Sequence, residues 1–166
     1  MTHASISRAF WSGAVLALFA CGGDAPATDD GSAGSAGSID ADGLTAVELE
    51  QGIGPVRDLE LGAIDPALVA EGETLFTTKC SACHKIEERY VAPALGDVLA
   101  RRRPEFVMNM MLNANEMVLE HPTIQELLAE FYTPMPVQIT ERAQARAILE
   151  YLRSVQTDPS ADASGA

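Results

Sequence analysis

Residues 77–86 read TTKCSACHKI, which sets Cys80, Cys83 and His84 inside five positions. Close cysteine pairs of this kind serve a redox dithiol, half of a zinc site, or the covalent attachment of a haem with its axial ligand alongside. Zinc takes four protein ligands in structural sites and three in catalytic ones. Here the three candidates are sequence neighbours, and apart from carboxylates only His121 and Cys21 remain in the mature chain. A thioredoxin-type dithiol opens a helix that follows a strand. Here a helical pattern precedes the pair and strand signals are nearly absent. Haem attachment needs two thiols three positions apart, one for each vinyl group, and a histidine directly after them to bring its imidazole under the iron. This chain has that spacing. The motif reads as attachment of one haem c through Cys80 and Cys83, with His84 on the metal.

Working outward, the preceding segment DPALVAEGETLF (65–76) is a helix start. Asp65 is a capping carboxylate, and Pro66 falls where a missing N–H costs nothing. Leu68, Val69, Gly72, Leu75 and Phe76 then recur at helical spacing. A second helix is expected across RPEFVMNMMLNANEMVLE (103–120) and a third from Pro122 to Phe131. A fourth is expected over TERAQARAILEYLRSV (140–155), with Thr140 as cap and Ala143, Ala147, Ile148, Tyr151, Leu152 and Val155 on one stripe. The expectation is an all-α domain of four or so short helices, spanning 65–157.

The two ends read differently. Arg8 followed by AFWSGAVLALFA (9–20) has the form of a signal segment, too short for a mature membrane-spanning helix. It ends at LFAC (18–21), which resembles a bacterial lipobox with Cys21 as the lipidated residue. The alternative is an ordinary secretory signal with Cys21 incidental. CGGDAPATDDGSAGSAGS (21–38) continues as a flexible tether. Residues 21–64 are expected to be this lipid-anchored, acidic tether, of which LTAVELEQGIGPVRDLELG (44–62) has apolar residues able to lie against the domain. Residues 158–166 read as a disordered tail.

Of the chain's net charge of −13, the stretch 22–64 alone carries −8, from nine acids and one base. This balance excludes nucleic acid as the main partner.

A second axial ligand is also needed. Met108, Met110, Met111 and Met117 share one helical stretch, where methionine usually fills core gaps. Met135 instead lies between Pro134 and Pro136 in FYTPMPVQIT (131–140), where helix interior is not allowed. Met135 is the reading. Another methionine, His121 or an open position are the alternatives, with His121 otherwise an exposed helix-start residue.

From Asp65 to Val155 the chain resembles the class I (mitochondrial-type) monohaem c-type cytochromes. The resemblance rests on EGETLF (71–76), CSACH (80–84), APALGDV (92–98), a loop Met followed by Pro, and ILEYLRSV (148–155), all in order. It implies the cytochrome c fold, with Gly72 letting Tyr151 and Leu152 approach. It also implies a Pro93 carbonyl accepting a hydrogen bond from His84. Ala92 departs from the pattern, which more often has glycine before the proline.

Phe76, Leu95, Met108, Met111 and Leu128 are expected against the porphyrin. Histidine plus methionine raises the potential and closes the iron to substrates, which suits one-electron transfer rather than catalysis. The partners implied are a membrane electron donor and a reductase or oxidase, on the extracytoplasmic side of a bacterial envelope. Lys79, Lys85 and Arg89, with Arg101, Arg102 and Arg103 near by, form either a basic docking rim or solvated surface charge. A haem-based sensor, a weak peroxidase, or a fixed subunit of a larger complex are the rival functions.

Overall fold

A computed structural model describes Ile39 and residues 43–156. The expected signal segment 1–20, Cys21, the glycine- and serine-rich part of the tether and the tail 158–166 lie outside the described residues. Within them the fold is helical and holds no strand beyond an isolated bridge between Ile39 and Thr45. The helices are α1 (Ala46–Gln51), α2 (Pro66–Lys79), α3 (Val98–Arg101), α4 (Pro104–Leu112), α5 (Ala114–Glu120), α6 (Pro122–Phe131) and α7 (Arg142–Ser154).

Asp65 caps α2 by accepting from the Ala67 N–H at 2.8 Å, with Pro66 in the first turn. The α2 stripe packs on α7, burying Phe76 against Ile148, Leu149 and Leu152. The crossing is closest at Gly72. A Cβ there would sit 2.0 Å from the Ala147 carbonyl oxygen, so only glycine admits this approach. The Phe76 and Tyr151 rings meet beside it, 5.3 Å between centroids.

Four expectations are corrected. The single helix over 103–120 is two helices, because Asn113 (φ −137°, ψ 40°) breaks the pattern and ends α4. The cap of α7 is Glu141, one residue past Thr140, and it makes no side-chain capping bond. His121 caps the start of α6 but is only 1% exposed. Its Nε2 lies 3.2 Å from the Leu49 carbonyl and its ring stands edge-on to Phe106. The fourth concerns the tether. Residues 43–64 fold against the helices, so the folded body begins near Gly43 rather than at Asp65, with Leu44, Ile53 and Val56 buried.

Polar groups pin this strap. Thr45 and Glu48 form a reciprocal capping box on α1. Asn109, wholly buried on α4, accepts from the Val56 N–H at 2.8 Å and donates to the Gln51 and Val56 carbonyls at 2.8 and 3.0 Å. On α7 the buried Glu150 carboxylate is held by Arg146 and Arg153, whose remaining N–H groups reach the Glu60 and Gly62 carbonyls. Gly52 takes φ 76° where the strap passes Met117, leaving no room for a side chain.

Replacing Asn109 by Leu leaves the Val56 N–H and the Gln51 carbonyl without partners and takes one of two donors from the Val56 carbonyl, which keeps Arg57. Each unmet buried group costs about 1–3 kcal/mol, and fraying of the strap relieves part of that. Asn109→Leu is therefore expected to lose about 2–3 kcal/mol. Urea unfolding checks this, with faster amide exchange at residues 52–57 locating the loss.

Candidate functional site

At its C-terminal end α2 unwinds into the motif. The Cys80 N–H and the Ser81 N–H both donate to the Phe76 carbonyl, and the N–H groups of Cys83 and His84 then donate to the Cys80 carbonyl at 3.0 and 2.9 Å. This tight turn brings Cys80, Cys83 and His84 to one wall of a cleft. The chain then loops back on itself. Ala92 donates to the Cys83 carbonyl, Leu95 to that of Lys85, and Gly96 to that of Ile86. That lacing carries Pro93 to the imidazole, and His84 Nδ1–H donates to the Pro93 carbonyl at 2.9 Å. Ala92, where glycine is more usual, does not take a positive φ and fits the loop.

With its Nδ1 proton committed to Pro93, His84 presents a bare lone pair at Nε2. Burial lowers the His84 pKa below its ordinary value, outweighing the Pro93 hydrogen bond that raises it, so the ring is neutral near pH 7. Burial likewise pushes the Cys80 thiol up to about 11, opposed by Lys79 and assisted by Cys83. Among the described residues no three histidine, cysteine or acidic side chains converge as a metal cage.

The cleft has a volume of about 270 Å³ and its walls are predominantly apolar. Phe76, Leu95, Met111 and Leu128 line it, as does Met110. Met108 does not line it; it is wholly buried in the core beneath. The irregular segment after α6 contributes Pro134, Met135 and Pro136. The sequence reading missed α3, which with its flanks adds Val98, Arg101 and Arg102 to the cleft wall; Asp97 before a short apolar run was the available signal.

The basic residues divide. Lys79, Arg101 and Arg102 border the cleft, whereas Arg103 turns to Glu50 and Glu105. Lys85 caps the Ser81 carbonyl and lies over the Tyr90 ring. Arg101 pairs with Asp97.

Two thiols and a preset neutral imidazole on an apolar cleft between helices fit a covalently held haem, and define a c-type haem protein. The Cytochrome c family model matches residues 69–156. A cytochrome c from Rhodothermus marinus is 49% identical in sequence and superposes with a TM-score of 0.63, covering 66% of this chain and 95% of that one. An engineered form of the Rhodothermus marinus protein bound to a carbene intermediate is 48% identical, with a TM-score of 0.60 over 67% of this chain and 97% of that one. Cytochrome c-551 of Stutzerimonas stutzeri is 48% identical over 40 residues, 24% of this chain, and the match spans only 38% of that relative's length.

The chain belongs to the cytochrome c family, as a class I monohaem member. Its cofactor is haem c, held covalently at the Cys80–Cys83 motif. It is a one-electron carrier.

Proposed function

We propose that the haem iron is ligated by His84 and Met135, and that the protein is a lipid-anchored carrier working outside the cytoplasmic membrane. One observation carries the ligand assignment: Met135 and His84 line the same apolar cleft, with Met135 flanked by two prolines in a segment without regular secondary structure. Those prolines fix φ on either side of it and stiffen the backbone from which the Met135 side chain reaches the cleft.

Haem c supplies the redox couple, taking up and releasing one electron at its iron. This chain's residues keep that exchange simple. Cys80 and Cys83 hold the group through both oxidation states. The Pro93 carbonyl fixes the His84 ring and raises its basicity. Phe76, Leu95, Met111 and Leu128 exclude water, and an occupied sixth position leaves substrates no access to the metal. Ala82 is exposed at the cleft, where a redox partner reaches the haem edge.

The lipobox ending in Cys21 supports a membrane anchor, and the glycine- and serine-rich composition of residues 22–38 suits a tether. Tethering replaces free diffusion by a high local concentration between a membrane donor and a reductase or oxidase acceptor.

The optical spectrum tests the ligand set. The oxidised protein is expected to show the weak sulfur-to-iron charge-transfer band in the far red, and Met135→Ala to abolish it and lower the reduction potential. A band that survives the substitution overturns the assignment. A high-spin wild-type spectrum that shifts with carbon monoxide or peroxide supports the sensor or peroxidase reading instead.

A further inference from the structure

Arg89 lies five residues beyond His84, on the loop that carries Pro93, and its partners are 41 residues away at the end of α6. One guanidinium N–H pairs with the Glu130 carboxylate, another reaches the Glu130 carbonyl at 3.4 Å, and the guanidinium carbon sits 4.0 Å from the centroid of the Phe131 ring. Phe131 itself lines the cleft. The next residue, Tyr132, ends α6 in the left-handed region (φ 54°) with its side chain 87% exposed. That conformation is disfavoured for a residue with a Cβ and persists where the surroundings hold it. From Tyr132 the chain leaves the helix and reaches Met135 three residues on, without regular secondary structure.

We propose that Arg89 is a positioning residue for the sixth ligand. It clamps the root of the Met135 segment to the His84–Pro93 loop and so limits how often the methionine leaves the iron. The inference rests on the assignment of Met135. An exposed ion pair alone contributes little. Here the same planar group also stacks on Phe131 and contacts a main-chain oxygen, a combination that lysine does not reproduce. The clamp joins the two segments that supply the axial side chains, so its release acts on ligand exchange before it acts on folding.

The test is the rate at which imidazole binds the oxidised holoprotein, measured at a pH where imidazole is neutral. Arg89→Ala is expected to bind about five- to tenfold faster than wild type, the combined effect of the ion pair and the ring contact. Its folding equilibrium is expected to weaken by no more than that same factor, since the contact is absent from the opened and the unfolded forms alike. Arg89→Lys is expected to fall between the two. Raising the salt concentration is expected to speed binding to wild type and leave Arg89→Ala unaffected, because only the former has an ion pair to screen.

Met135→Ala separates the two claims. If it binds imidazole no faster than wild type and keeps the far-red band, the ligand assignment fails and the clamp with it. If it binds much faster while Arg89→Ala stays within twofold of wild type, Met135 is the ligand and the clamp is wrong. Added to Met135→Ala, the Arg89→Ala change is expected to have no further effect.

Discussion

Replacing both attachment thiols, Cys80→Ser with Cys83→Ser, is expected to give a haem-free chain with no cooperative thermal transition. Without haem the cleft is a void of about 270 Å³ between α2, α6 and α7. At ~24 cal/mol per Å³ of unfilled core, such a void costs on the order of 6 kcal/mol. Domains of this size are stable by about 5–15 kcal/mol in total. The loss is greater than the void alone suggests, because Met135 and Leu95 line the cleft, pack onto the main core and lose a neighbour with it. Circular dichroism during heating of the haem-free double variant checks this. A sharp melt would show that the polypeptide core suffices by itself.

Gly72→Ala is expected to lower the melting temperature of the holoprotein by more than about 10 °C, a loss of about 3 kcal/mol or more. The added carbon meets backbone rather than a flexible side chain: the Ala147 oxygen at 2.0 Å, the Ala147 carbonyl carbon at 2.5 Å and the Tyr151 Cβ at 2.9 Å. Helix α7 cannot slide to make room. Its buried Glu150 is held by Arg146 and Arg153, and those arginines in turn hold the strap through Glu60 and Gly62. Gly62→Ala, whose new carbon meets nothing within 4 Å, is the control and is expected to be nearly neutral. A melt of Gly72→Ala within about 3 °C of wild type would mean that α2 and α7 separate cheaply. The far-red band is expected to remain in Gly72→Ala at low temperature, since Gly72 does not line the haem cleft.

The haem motif was legible because its chemistry is local. Two thioethers and an axial imidazole impose a fixed spacing on one turn of chain, so CSACH carries its meaning without tertiary context. Helices α2, α6 and α7 were legible for a related reason: each shows 3.6-residue apolar periodicity and a start signal near its first turn. The break at Asn113 was not, because the apolar pattern on either side continues through it. The strap from Leu44 to Gly62 was read as tether because its composition is acidic and sparsely apolar. Its capping box, Thr45 with Glu48, was the available local signal. What orders it lies far along the chain: the buried Asn109 amide and the Arg146 and Arg153 guanidinium groups, all more than fifty residues away, and the core that covers Leu44, Ile53 and Val56.

The cofactor, its attachment and the helical class follow from residue order alone, since covalent spacing and helical period act over a few residues. Where the folded body begins, that His121 is buried, which methionines line the cleft and what Arg89 joins come from the packing of the whole fold. Each of these depends on contacts between segments distant along the chain. Such contacts depend on the close crossing of α2 and α7 at Gly72, which sets which surfaces face one another.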